Sequence, residues 1–169
     1  EYSMSLKLQF NPELDYQQDA INAVVDLFKG QTPKDANFTV APISSQIAFD
    51  ESTIGIGNKL ELTKEELLEN LQEVQERNGL KQSTVLNDEP YLEFEVDMET
   101  GTGKTYVFIR TMMELNKKYG FKKFVIVVPS LAIKEGIYHS LQATEEHIKS
   151  LYDNEPYDYF VYDSDHIDQ

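Results

Sequence analysis

One run of eight residues, Met98-Glu99-Thr100-Gly101-Thr102-Gly103-Lys104-Thr105, constrains this chain more than any other. Just before it, Leu92, Phe94 and Val96 alternate with Glu93, Glu95 and Asp97, the period of two expected of a strand with one face in a core. Just after it, residues 105–118 have helical character. Between a strand and a helix, glycines let the backbone turn tightly enough for successive N–H groups to face one concavity. The N-terminus of the helix adds its positive dipole end to the same place. A phosphate group fits that description. On this reading Thr100, Gly101, Thr102 and Gly103 form the cradle, with backbone donors from the last three. Lys104 reaches the β- and γ-phosphates of a nucleotide, and the Thr105 hydroxyl sits on a magnesium ion that keeps most of its waters. The first position of such loops is usually Gly or Ala, and here it is Met98. The plainer alternative is an ordinary glycine-rich turn beside a surface lysine.

The rest of the chain is organised around that loop. Asp15 and Gln18 have the spacing of a helix N-cap and its partner three residues on, and Ile21, Val24, Val25 and Phe28 follow at helical spacing. A helix over residues 16–29, stopped by Gly30, is predicted. Residues 31–58, with Pro33, Pro42, Gly55 and Gly57, show no sustained period. Thr63 and Glu66 form a second capping box ahead of Leu67, Leu68, Leu71 and Val74, with Gly79 as terminator. Residues 31–90 therefore read as an irregular and helical insertion before the strand that leads into the loop. Residues 124–128 read as a short buried strand, Ser130 as the cap of a following helix, and residues 157–162 as a further strand. Strands alternating with helices predict an α/β fold in which a parallel sheet is covered by helices. With 169 residues, one domain is expected.

Charge sets the limits on partners. Fifteen basic against thirty acidic residues give a net charge of −15, which opposes a polyanion. Residues 101–134, however, hold seven basic residues against the single acid Glu114. Such a stretch can face a nucleic acid, although Lys117 to Lys123 read first as a solvated face, the default place for lysine. Cysteine is absent, which removes disulfides and thiolate metal sites and is compatible with a reducing compartment. No apolar run approaches a membrane span, and a cytoplasmic protein is expected. His139, His147 and His166 lack the spacing of metal ligands.

Several motifs together resemble a known family. Thr-Gly-x-Gly-Lys-Thr looks like motif I of superfamily two helicases, and Ile126-Val127-Val128-Pro129-Ser130 is similar to their motif Ia. Leu14-Asp15-Tyr16-Gln17-Gln18-Asp19-Ala20-Ile21 resembles the tyrosine-glutamine signature found ahead of motif I. That resemblance implies that Gln17 hydrogen-bonds the adenine edge, for which an amide carries the needed donor and acceptor. Taken alone, Gln17 reads as a helix-surface glutamine. The extended matches, Met-Glu-Thr-Gly-Thr-Gly-Lys-Thr-Tyr-Val, Glu114 to Phe121 and Val-Val-Pro-Ser-x-Ala-Ile-Lys-Glu-Gly at residues 127–136, look like the restriction (Res) subunits of type III restriction-modification enzymes. Asn58-Lys59-Leu60 and residues 66–80 are similar to the segment that family carries before motif I, and Met at the first loop position is at home there.

The resemblance implies a RecA-like P-loop domain, the ATP-binding portion of a DNA-dependent ATPase or translocase within an ATP-dependent type III site-specific endonuclease. Its ligands would be ATP and Mg2+, and its partners double-stranded DNA and a modification methyltransferase (Mod) subunit. Motors of this kind also need an Asp-Glu pair and arginine fingers. These, with the nuclease residues, are expected beyond Gln169, so the chain alone is expected not to turn over ATP or cut DNA. Residues 160–163 superficially resemble a strand ending in the magnesium aspartate, but Asp163 lacks an adjacent Glu and is read as the end of a third strand. Two other classes stay open: a nucleotide kinase, disfavoured because Arg110 is the one arginine after the loop, and a nucleotide-dependent interaction module without turnover.

Overall fold

In the computed structural model of the protein, the residues described are 14–33 and 59–153. The predicted strand at 157–162, Asp163, His166 and most of the irregular stretch 31–58 lie outside them. The described chain divides into two units, one built from 14–33 and 59–125 and the other from 126–153.

The first unit is held together by helix α1 (Asp15–Val25) packed on helix α3 (Lys104–Tyr119). Ile21 and Val25 recur on one face of α1, Val107, Leu115 and Tyr119 on one face of α3, and Phe121 follows α3. These six form one buried cluster, with Ala20, Val24, Phe28 and Met98 packed against it. Phe28 meets Phe121 edge-on, with ring centroids 5.4 Å apart, and Tyr119 donates its hydroxyl to the Val25 carbonyl at 3.0 Å. Contacts of this kind stabilise the pair of helices far more than intrinsic propensity does.

The predicted cap of α1 is not formed. Leu14, not Asp15, is the N-cap residue, and no side chain caps the helix. The Leu14 carbonyl accepts from the N–H groups of both Gln17 and Gln18. Burial of Gln17 and Ile21 sets the phase of this helix, and Asp15 is drawn into its first turn, where a carboxylate suits the dipole. Helix α1 also ends early: residues Asp26–Phe28 tighten into a 3-10 turn, and Gly30 follows at φ +96°.

Helix α2 (Lys64–Arg77) begins with the predicted box. Thr63 Oγ1 accepts from Glu66 N–H at 3.2 Å, and a Glu66 carboxylate oxygen accepts from Thr63 N–H at 2.8 Å. Leu67, Asn70 and Val74 form its buried face, whereas Leu68 and Leu71 are half-buried. Asn70 ties α2 to the 3-10 turn by donating to the carbonyls of Leu27 and Lys29 at 3.0 and 2.9 Å. Gln31, also buried, accepts from Glu61 N–H and donates to the Lys59 carbonyl. Asp26 joins the outer edges, with Arg77 at 2.9 Å and Lys118 at 3.5 Å.

Neither predicted strand pairs into a sheet among the described residues. The single bridge is antiparallel, between Asn87 and Glu93, and residues 94–97 carry no ladder. Residues 124–128 were expected to be buried, yet Val125 and Val127 are each 88% exposed. A strand, unlike a helix, has no hydrogen bonds of its own and gains burial only from neighbours on both sides. The sequence pattern at 92–97 and 124–128 records a preference for extended backbone, and the described residues supply no partner for it.

The second unit is dominated by helix α4 (Leu131–Leu151). Ser130 caps it as predicted, its hydroxyl accepting from Ile133 N–H at 3.3 Å. Leu141, Thr144, Ile148 and Tyr152 form a buried stripe at helical spacing, and Thr144 satisfies its hydroxyl on the Ser140 carbonyl. No helix among the described residues is long and apolar enough to cross a membrane.

Candidate phosphate-binding site

The loop that dominates the sequence closes onto the start of α3. Gly103 is the N-cap residue of that helix, with φ +84°, and Gly101 has φ +81°. Both values lie in the left-handed region, which costs a residue with a β-carbon about 1 kcal/mol or more and glycine almost nothing. The alternation of glycine with threonine therefore has a local structural reason. Thr102 reinforces the turn by donating its hydroxyl to the Glu99 carbonyl at 2.6 Å.

Lys104 is the first residue of α3 and is exposed, while Thr105 is half-buried beside it. The first turn of α3 holds no acidic residue, and its N-cap, being glycine, has no side chain to occupy the helix's leading N–H groups. An N-terminus in this condition offers an anion both donors and a positive dipole end. Thr100 is exposed at the outer edge of the loop. Met98, the unusual first residue, is half-buried against the α1–α3 cluster. An apolar side chain there anchors the incoming end of the loop, which glycine or alanine could not do. That anchoring role was not legible in the sequence, where only the departure from the usual residue shows.

Gln17 stands differently from the helix-surface reading. Its residue is only 7% exposed, and its Nε2 donates to the main-chain carbonyl of Thr102 at 2.9 Å. The same nitrogen lies so near Gly103 that a β-carbon there would be 2.7 Å away. Gln17, Thr102 and Gly103, separated by about 85 positions in the chain, are thus brought together at the loop. The candidate residues all lie on the first unit.

The basic segment is less free than its count of charges suggests. Arg110 is 8% exposed, with Glu114 3.9 Å away and the Tyr106 ring beneath its guanidinium, and Lys118 pairs with Asp26. Arg110 and Lys118 are therefore committed within the first unit. Among the described residues no group of three or more His, Asp or Glu is placed to hold a metal ion. From the loop itself, the Thr105 hydroxyl together with phosphate oxygens and water would offer a magnesium ion the oxygen ligands that suit it. The exposed loop, open at the head of α3, fits such a group.

Comparison with known proteins places the chain among relatives. Residues 11–157 match the family described as type III restriction enzyme, res subunit. The chain is 33% identical over 160 residues to the EcoPI Res subunit of Escherichia phage P1, and 32% identical over 160 residues to the EcoP15I Res subunit of Escherichia coli. Each alignment covers 94% of this chain and 15% of the relative, so the chain spans about a seventh of those proteins' length. The StyLTI Res subunit of Salmonella typhimurium is 52% identical over 62 residues, 36% of this chain and 6% of that protein. These matches imply a helicase-like P-loop fold, and by them the chain belongs to the family of type III restriction enzyme Res subunits.

Proposed function

We propose that this chain is the ATP-binding portion of a DNA-dependent ATPase and translocase of a type III restriction endonuclease. The observation that carries the reading is the glycine-shaped loop closing on the uncapped, acid-free N-terminus of α3. Gly101, Thr102 and Gly103 present backbone donors to the phosphates, and Thr100 borders them. Lys104 binds the distal phosphates and, as charge moves onto the transferring phosphoryl oxygens, stabilises it. Thr105 holds magnesium, which when bound neutralises phosphate charge. In the whole enzyme, residues 92–97 and 124–128, which carry no parallel ladder among the described residues, would pair into a RecA-like parallel sheet flanked by helices. Double-stranded DNA and a Mod subunit are partners of the whole enzyme, and the cytoplasm is its compartment.

Titration with ATP, ADP and AMP, comparing the unmodified chain with Lys104→Ala, tests the reading. A lysine aimed at the distal phosphates makes a charge-assisted bond of about 1.5–3 kcal/mol, so ATP affinity should fall roughly 10- to 100-fold while AMP affinity barely changes. Equal losses for all three nucleotides would remove Lys104 from the phosphate site.

A further inference from the structure

The bond between Gln17 and Thr102 is directed at the one peptide in the loop whose orientation matters most. In a trans peptide the C=O and the following N–H point in opposite directions across one plane. Holding the Thr102 carbonyl toward Gln17 at 2.9 Å therefore turns the Gly103 N–H away from Gln17. Glycine at position 103 makes this peptide easy to rotate, because the flexible φ on its far side resists little. Without an external hold, the peptide could turn over and aim a carbonyl where a donor is required.

Gln17 is well suited to provide that hold. It is nine-tenths buried, sits in the first turn of α1 with its own N–H bonded to Leu14, and α1 is packed on α3 through the Ile21–Val107 cluster. Its side chain is thus delivered by a rigid element, and Thr102 is steadied from the other side by its hydroxyl bond to Glu99.

We propose that Gln17 is a positioning residue for the phosphate loop, fixing the Thr102–Gly103 peptide so that the Gly103 N–H faces the phosphates, whatever base the nucleotide carries. This rests on the phosphate-loop reading above. It differs from a base-reading role in a measurable way: a loop-holding residue affects a ligand that has phosphates and no base.

The test measures binding of ATP, GTP and inorganic tripolyphosphate to the unmodified chain, to Gln17→Met, which keeps the length and loses the donor, and to Gln17→Glu, which replaces the donor with an acceptor. All three ligands should weaken by the same factor, about 3- to 10-fold for the methionine variant, the range one hydrogen bond supplies. The glutamate variant should lose more. Melting temperature without ligand should stay within about 3 °C of the unmodified chain, since a purely structural role would lower it in step with binding. In the unmodified chain, the Gln17 side-chain amide resonance should shift on adding tripolyphosphate and stay in place on adding adenosine; this measurement stands even where a variant fails to fold. A loss confined to ATP, a resonance that answers only to adenosine, or unchanged affinities in both variants would each overturn the proposal. Absence of any triphosphate binding by the unmodified chain would instead bring down the phosphate-loop reading, and this inference with it.

Discussion

Gly103 lies so close beneath Gln17 that a β-carbon added to it would stand 2.7 Å from the glutamine Nε2, whereas one added to Gly101 would meet nothing within 4 Å. The two glycines share nearly the same left-handed φ, +84° and +81°, so alanine imposes a similar backbone strain of about 1–2 kcal/mol at either place. They differ in what alanine displaces. Gly103→Ala should push the Gln17 amide off the Thr102 carbonyl and weaken ATP binding by about 10-fold more than Gly101→Ala does. Paired ATP titrations of the two variants measure this, and indistinguishable affinities would mean that the close approach has no consequence for the ligand.

Asn70 is a buried clamp, and its removal should be felt as lost stability with little change at the loop. Its amide donates to both the Leu27 and the Lys29 carbonyls at a position only 8% exposed. Alanine there would leave both acceptors without this donor; the Leu27 bond is buried and the Lys29 bond partly so, and an unsatisfied buried group costs about 1–3 kcal/mol. Asn70→Ala should therefore lower the unfolding free energy by roughly 2–4 kcal/mol in a urea titration. A change below about 0.5 kcal/mol would show that water replaces the amide at both carbonyls.

The cap of α2 offers a smaller, cleaner measurement. Thr63 and Glu66 satisfy each other's N–H groups at the helix surface, so Thr63→Ala should cost about 1 kcal/mol and Glu66→Ala a similar amount. Because both belong to one box, the double variant should cost less than the sum of the two. Strict additivity would argue that the two bonds form independently.

What could be read from the sequence was what is contiguous. The glycine, lysine and threonine of the loop sit next to one another, and the Thr63 and Ser130 caps lie within three residues of the groups they satisfy, so spacing alone predicted them. The same logic misplaced the start of α1: Asp15 and Gln18 have a capping pattern, but a pattern is only a local option, and burial of Gln17 and Ile21 shifted the helix to begin after Leu14. Tertiary facts were not legible. Nothing near Gln17 in sequence announces Thr102, and nothing in α2 marks Asn70 as a clamp rather than an exposed amide. The alternation at 92–97 marks a strand preference that needs a partner strand to become a strand, and among the described residues only the Asn87–Glu93 bridge is paired.

Tyr119 should give the first unit a distinctive alkaline limb. Its ring is 4% exposed, and its hydroxyl donates to the Val25 carbonyl at 3.0 Å. Burial, with the carboxylate of Asp26 adding to it, pushes the phenol above its ordinary value, against the opposing pull of the Lys118 ammonium. The sign of the effect follows from proton counting. Below pH 10, the ordinary value, folded and unfolded chains both keep the proton, and the contribution to stability is fully present. As pH rises past 10, the unfolded chain releases the proton while the folded one still holds it, so stability falls until the folded value is passed. Tyr119→Phe keeps the ring but removes both the titration and the donor to Val25, at a cost of about 1 kcal/mol near neutrality. All groups other than Tyr119 are common to both proteins and cancel in the comparison. Urea unfolding at pH 8, 9, 10 and 11 should therefore show a stability gap favouring the unmodified chain at pH 8 that narrows steadily above pH 10. A gap that stays constant or widens across that range would mean that the Tyr119 hydroxyl is not held in its neutral form by the α1–α3 interface.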